Sequence, residues 1–224
     1  MPILANNDWF LNELYDFLIN MDVTILSANY SRYVVDLNRI ITEPVMGEDY
    51  NKSTIYSKTI WGKDLYKQLP NEDEIEKRLR TYYYPYHNKL KELIDIKLKQ
   101  FGKVFIIDLH SGYSSTGDKD ICLGNAKNEM ANIAKVEKFK SCLENVGYTV
   151  GINKPVTGGK VLRQYHKNNC NIECMIFELN FKKYIEDKVI DEEEVTKYDA
   201  KLFNDAKQRL KKVFEEYLSN LNTN

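Results

Sequence analysis

The chain has almost no excess of charge of either sign. Its 32 Lys+Arg and 33 Asp+Glu residues leave a formal −1 over 224 positions. Nucleic-acid binding driven by phosphate neutralisation needs a basic surplus, so no such footprint is present. Long apolar runs are also missing, and nothing approaches the ~20 residues of a membrane-spanning helix. The N-terminus lacks the basic-then-apolar order of a secretory signal, which leads to the expectation of a soluble, cytoplasmic protein. The four cysteines, Cys122, Cys142, Cys170 and Cys174, form no CxxC pair. Cys170 and Cys174 are spaced so that they could share a metal, but buried free thiols are the reading adopted. Repeats, low-complexity tracts and Pro/Gly/Ser linkers are absent, so residues 1–224 are read as one domain with one core.

Apolar spacing over 8–20, at Phe10, Leu11, Leu14, Phe17 and Leu18, predicts a helix. Val23 to Leu26 and Tyr33 to Leu37 read as short strands, and 39–70 as a long excursion. Helical periodicity returns from Asn71 to Phe101, with Pro85 as a kink or the first turn of a second helix, and Gly102 as its stop. A strand over 104–109 precedes a polar loop that runs through Gly124. A helix at about 133–146 ends at Gly147. Tyr148–Ile152 and Glu173–Leu179 are strand-like and flank a short helix. Residues 191–219 close the chain as an amphipathic helix with Tyr198, Leu202, Ala206, Leu210, Val213 and Tyr217 in one stripe. Alternating strands and helices predict a single-domain α/β sandwich with a mixed, mostly parallel sheet.

Phe105-Ile106-Ile107-Asp108-Leu109-His110-Ser111-Gly112 is the segment richest in chemical information. In open α/β folds, ligands collect beyond the carboxyl ends of strands, which is where this run places an acid and a histidine. Asp108 and His110 are two apart and share a strand face. The arrangement suits a metal ligand or a general base with a nearby carboxylate, or simply a hydrogen-bonded polar strand end. Arg32 and Arg39 flank Tyr33–Leu37. A guanidinium at Arg39 could grip an anionic substrate, with Asn38 adding a donor, or it could pair with Asp36. Glu178 ends an otherwise apolar run. A carboxylate there would have a raised pKa suited to proton transfer, unless its side chain reaches water. Gly158-Gly159 allows close backbone approach to a ligand or serves as a turn, and the GxxxxGK[ST] phosphate loop is absent. Tyr82-Tyr83-Tyr84-Pro85-Tyr86-His87 could stack on nucleic acid, a reading that the neutral charge disfavours. His87 could line a cleft or complete a buried hydrogen bond, and His166 reads as surface.

Together, Ser31-Arg32-Tyr33-Val34-Val35-Asp36-Leu37-Asn38-Arg39, Tyr84-Pro85-Tyr86-His87, Asp108-Leu109-His110-Ser111, Gly158-Gly159 with Arg163-Gln164-Tyr165, and Phe177-Glu178-Leu179-Asn180 resemble the N-formylglutamate amidohydrolase family. These segments occur in the family's order across nearly the whole chain. The resemblance implies a zinc carboxypeptidase-like fold, related to aspartoacylases and succinylglutamate desuccinylases. It also implies cleavage of the acyl amide of an N-acylated acidic amino acid. By the same resemblance His110 is a zinc ligand and Asn38 and Arg39 bind the substrate carboxylate. Glu178 is the general base, and Arg32 and Arg163 polarise the scissile carbonyl or hold a second carboxylate.

The chain departs from the family in one respect. Members carry an upstream proline-histidine-small-glycine segment that supplies a first metal ligand, and here no histidine precedes His87. Asp8 aligns with an acidic residue after that segment and is either a ligand or the cap of the helix beside it. A hydrolytic zinc site uses three protein ligands and an open position. A start downstream of the true one, a rebuilt metal site, or a retired enzyme that keeps its carboxylate pocket all fit. The resemblance therefore implies a zinc-dependent amidohydrolase acting on a small carboxylate substrate. The alternative is an inactive member that binds such a ligand.

Overall fold

The computed structural model describes residues 6–42, 44–50, 52–188 and 194–221. In chain order the elements are α1 (Leu11–Leu14), β1 (Met46–Gly47), β2 (Ile55–Tyr56), α2 (Glu72–Arg78), α3 (Tyr84–Phe101), β3 (Val104–Gly112), β4 (Ile121–Gly124), α4 (Ile133–Asn145), β5 (Val150–Ile152), α5 (Lys160–Asn168), β6 (Ile172–Asn180) and α6 (Ala200–Leu221). Pairing is parallel for β1–β2 and β4–β5 and antiparallel for β4–β6, so the mixed, mostly parallel α/β class read from the sequence is the class adopted. The described residues fall into two compact units.

The first unit is built mainly from 26–104. Tyr33–Leu37, expected as a strand, is a series of turns. Val34 N–H donates to the Ser31 carbonyl, and Asn38 N–H donates to Asp36 Oδ1 at 2.8 Å. Short polar side chains that bond the backbone two residues on compete with strand pairing. The 39–70 excursion holds the two-stranded β1–β2 sheet, with Ile55 and Tyr56 fully buried. Asn71 caps α2 by accepting from Glu74 N–H, and three acids fill the first turn, as the helix dipole favours. One π-type turn, Leu79–Tyr83, then joins α2 to α3. Pro85 sits in the first turn of α3, where its missing N–H costs nothing. Gly102, at φ 71°, ends the helix. Val35, Ile55, Leu79 and Tyr83 form this unit's small core.

The second unit comprises 8–25, 105–188 and 195–221 among the described residues. Its sheet runs β3-β6-β4-β5. Strand pleating sends alternate side chains to opposite faces. Phe105, Ile107, Leu109, Ile121, Leu123, Met175, Phe177 and Leu179 face one side and join the main core with Leu14, Phe139, Leu143, Leu210, Val213 and Tyr217. Each of these side chains that is fully buried contributes about 1.5–3 kcal/mol, and the partly buried Phe105, Ile107 and Leu109 less. The other face carries Asp108, His110, Gly112, Cys122, Cys174, Glu178 and Asn180. Here α5 packs on β6, and the Cys174 thiol donates to the Leu162 carbonyl at 3.7 Å.

Several expected elements differ in detail. The 8–20 helix is a four-residue α-turn followed by a 3-10 stretch, Asp16–Asn20, because Phe10 enters with left-handed backbone (φ 56°) and no side-chain cap. Residues 23–26 are irregular. β4 lies inside what read as loop, and β3 extends three residues further than expected. The final helix begins at Ala200; its expected start at 191–193 lies outside the described residues. Ala206, Leu210, Val213 and Tyr217 are fully buried, so that stripe is core. Cys122, Cys142 and Cys174 are buried free thiols, and Cys170 is free and exposed. Among the described residues no helix is long and apolar enough to cross a membrane.

Candidate active site

Within the second unit, β3 and the first residues of α1's approach bring three predicted groups together. Asp8 Oδ1 lies 3.4 Å from His110 Nδ1, and Asp108 Oδ2 lies 3.1 Å from His110 Nε2. The Ser111 backbone N–H donates to Asp8 Oδ1 at 2.8 Å. Asp8 therefore does not cap α1, whose N-cap is Phe10. Its carboxylate instead binds the strand end, one residue beyond the histidine. Burial alone would strip His110 of its proton. The adjacent Asp108 and Asp8 charges outweigh that effect and hold its pKa well above the ordinary histidine value. Tyr184, fully buried, donates to the Trp9 carbonyl at 2.9 Å and lies 2.8 Å from the Ser111 hydroxyl, which ties the 8–9 segment to β3.

The donor set can be tested for zinc. Two ligands of one tetrahedral zinc at about 2.1 Å each stand about 3.4 Å apart. Asp8 Oδ1 and His110 Nδ1 have that separation. Asp108 on the far ring nitrogen matches the carboxylate that orients a metal-bound histidine. Because Asp108 and Asp8 address opposite nitrogens, they do not converge on one point. Among the described residues no three His, Cys, Asp or Glu side chains form a group able to hold a metal. The fit is therefore to two corners of a zinc site, without the third protein ligand.

Glu178 stands on the same sheet face, directly paired with Cys122 on β4. Its Oε2 lies 4.0 Å from where a Cβ on Gly112 would be. Arg163, on α5, faces Glu129 at 3.7 Å with its side chain 38% exposed. The Gly158 segment approaches protein backbone. A Cβ on Gly124 would meet the Thr157 carbonyl carbon at 2.9 Å, and Gly158 itself (φ 148°) packs on Met130 and Ala126. These glycines let a loop lie against β4, which is the turn-like reading of the pair.

In the first unit, Arg32, Asn38 and Arg39 gather around two residues that the sequence did not mark for this role. Tyr50 accepts at its hydroxyl from Arg32 Nη1 at 2.8 Å and from Asn6 Nδ2 at 2.8 Å. Its carbonyl accepts from Arg39 Nε at 3.4 Å and Nη2 at 3.2 Å. The Tyr50 ring stacks on Tyr56 at 4.4 Å. Tyr56 in turn donates to the buried Asp36 carboxylate, which also receives the Asn38 N–H and lies 4.0 Å from Arg39 Nε. Burial, and then the Asp36 charge, push the Tyr56 hydroxyl far above its usual pKa. Asp36 thus holds the turn that carries Asn38 and Arg39. Tyr83 fixes the same turn by donating to the Arg39 carbonyl at 2.7 Å.

His87 packs against Tyr83 at 4.2 Å and bonds the Leu37 backbone, so it completes a buried hydrogen bond. His166 is half-buried, with Nδ1 2.7 Å from the Ile172 carbonyl oxygen, and is not the surface residue expected.

A family model for N-formylglutamate amidohydrolase matches residues 2–185. The chain belongs to the N-formylglutamate amidohydrolase family. An N-formylglutamate deformylase from Pseudomonas putida is 29% identical over 196 residues, covering 82% of this chain and 72% of that protein. A second N-formylglutamate deformylase, from Pseudomonas aeruginosa, is 27% identical over 228 aligned positions, covering 96% and 83%. The crystal structure of an N-formylglutamate amidohydrolase from Ralstonia eutropha JMP134 superposes with a TM-score of 0.77 at 20% identity, over 95% of this chain and 83% of that one. An Agrobacterium tumefaciens gene product gives 0.55 at 17% identity, over 86% and 69%. At those identities the two structures speak for the fold.

Proposed function

We propose that this protein is an amidohydrolase that removes the acyl group of an N-acylated acidic amino acid, with N-formylglutamate as the leading substrate. The observation that carries the proposal is one sheet face bearing Glu178 and the Asp8–His110–Asp108 cluster, in a chain of this family. Relatives named for N-formylglutamate deformylation support the substrate class.

In this reading Glu178 takes a proton from the water that adds to the formyl carbon. It then returns that proton to the amine nitrogen as the carbon–nitrogen bond breaks, yielding formate and the free amino acid. Arg39 and Asn38 bind a substrate carboxylate, with Arg32 and Arg163 as further cationic partners for a carboxylate or the scissile carbonyl. His110 and Asp8 are the residues that would hold a zinc ion, which supplies Lewis-acid polarisation when bound. Kinship with zinc carboxypeptidase-like hydrolases and residence in the cytoplasm belong to the same proposal, as does a single functional domain over 1–224.

The test is formate release from N-formylglutamate by the purified full-length chain, with and without added zinc. Turnover that Glu178→Gln lowers by at least ~100-fold supports the reading. No release under either condition overturns it. The two-ligand character of the His110–Asp8 pair favours a second reading, a member that binds N-acyl glutamate without cleaving it. Ligand-induced thermal stabilisation without turnover is its signature.

A further inference from the structure

Ser115 lies on the 3-10 turn Ser114–Thr116 that follows β3. Its hydroxyl oxygen is buried and finds no hydrogen-bond partner among the described residues. A buried hydroxyl without a partner is costly, and such groups are rare in folded proteins. The position of this one is defined by Gly112. A Cβ on Gly112 would lie 2.6 Å from Ser115 Oγ, and the same point is 4.0 Å from Glu178 Oε2. The absence of a side chain at residue 112 therefore lets a hydroxyl and a carboxylate converge over one glycine.

The turn that carries Ser115 is held firmly. Asn180, two residues after Glu178 on β6, donates from Nδ2 to Thr116 Oγ1 at 2.8 Å and to the Tyr113 carbonyl at 3.5 Å. Thr116 is fully buried. The same Asn180 accepts from Lys182 N–H at 3.0 Å, which fixes its amide orientation. Strand β6 thus supplies Glu178 and also anchors the turn that sets Ser115 beside it.

We propose that Ser115 is a catalytic residue whose hydroxyl donates to the acyl oxygen of the substrate, and that Asn180 is its positioning residue. This inference rests on the proposed amidohydrolase reading. If Glu178 exchanges protons with the water and the amine, the amide being cleaved must lie against Glu178, on the strand face where Ser115 Oγ and Glu178 Oε2 lie 2.6 and 4.0 Å from one point over Gly112. The acyl oxygen gains negative charge as water adds to the carbon. A fixed donor aimed at that oxygen is worth more in the transition state than in the ground state. With no acceptor among the described residues, the Ser115 hydroxyl proton is left for the acceptor that the substrate brings.

The experiment compares the wild type with Ser115→Ala, Ser115→Thr and Asn180→Ala. It measures steady-state N-formylglutamate hydrolysis, thermal unfolding and calorimetric binding of N-formylglutamate and glutamate. Ser115→Ala is expected to lower kcat by about 10- to 1,000-fold, with KM within about threefold and a melting temperature equal to or above wild type. Ser115→Thr retains the donor and recovers activity to within about tenfold of wild type. Asn180→Ala lowers kcat in the same sense. Wild-type kcat in Ser115→Ala overturns the proposal, as does a lowered melting temperature that accounts for its loss of activity. If the wild-type chain shows no turnover, the amidohydrolase reading fails separately. Ser115 is then judged by binding: Ser115→Ala must weaken N-formylglutamate at least threefold and leave glutamate unchanged, and equal weakening or none overturns it.

Discussion

Asp108 Oδ2 sits 3.1 Å from His110 Nε2, and this contact leaves the other ring nitrogen, Nδ1, facing Asp8. If His110 releases its Nδ1 proton to take up a metal, Asp108 would orient the ring from Nε2 while Nδ1, now turned to Asp8, would be the ligand atom. The consequence for metal binding is directional. Asp108→Ala should weaken zinc affinity about 10- to 100-fold in a chelator competition. Asp8→Ala, which removes a proposed ligand, should weaken it more. Equal affinities in Asp108→Ala and wild type would mean that His110 does not bind metal through Nδ1.

The buried Asp36 carboxylate ties Tyr56 to the turn that carries Asn38 and Arg39. Asp36→Ala leaves both the Tyr56 hydroxyl and the Asn38 N–H without their acceptor. It should cost about 2–4 kcal/mol of unfolding free energy in urea denaturation. Tyr56→Phe retains the ring that stacks on Tyr50 and should cost about 1–3 kcal/mol, because only one donor is lost. Stabilities indistinguishable from wild type would show that the carboxylate does not organise this turn.

These two clusters were legible in the sequence to different degrees, for physical reasons. Asp108 and His110 share a parity on a strand that ends in a loop, and strand pleating alone places them on one face. Gly102 and Gly147 announced helix ends through local capping chemistry, and those stops stand. Tyr33–Leu37 misled because its apolar run looks like a strand, while the decisive interaction is the Asp36 side chain folding back on Asn38. β4 was missed because Ile121–Gly124 is only four residues, all buried, with no alternation to mark it. Tyr50 carried no signal at all. Its hydroxyl serves Arg32, eighteen positions earlier, and its carbonyl serves Arg39, and contacts of that range leave no periodicity. The role of Asn180 was hidden in the same way, since its partner Thr116 lies 64 residues away.

His87 gives a pH dependence that can be separated from catalysis. Burial lowers its pKa below the ordinary histidine value, and its hydrogen bond to the Leu37 backbone offsets only part of that. The unfolded chain, with a histidine pKa of about 6.5, binds a proton in the window where the folded chain still resists it. The unfolded state then holds more protons, so stability must fall as pH drops from about 6.5 towards the lowered folded value. The slope from this group is at most about 1.4 kcal/mol per pH unit. His87→Gln keeps a donor for Leu37 and cannot titrate, so its urea midpoint should decline less between pH 7 and pH 5. An identical decline in the variant would assign the acid sensitivity to other groups.

Arg39 decides whether the first unit's cluster recognises substrate. Its guanidinium is held by the Tyr50 carbonyl and the Asn38 carbonyl, the latter at 3.3 Å, so the fork is oriented before any anion arrives. A preoriented arginine lowers the entropy lost on gripping a carboxylate, and lysine cannot reproduce its bidentate geometry. Arg39→Ala and Arg39→Lys should both raise KM for N-formylglutamate at least ~10-fold with kcat changed by less than about threefold. Tyr50→Phe removes the hydroxyl that Arg32 and Asn6 share and leaves the carbonyl that serves Arg39. Its effect should therefore be smaller, about threefold in KM. The control that separates recognition from folding is a substrate whose carboxylates are converted one at a time to amides. When the carboxylate that Arg39 binds is masked, the wild type and Arg39→Ala should converge, because the variant has nothing left to lose. A penalty that persists on every amidated substrate would place Arg39 in the architecture of the turn and remove it from substrate binding.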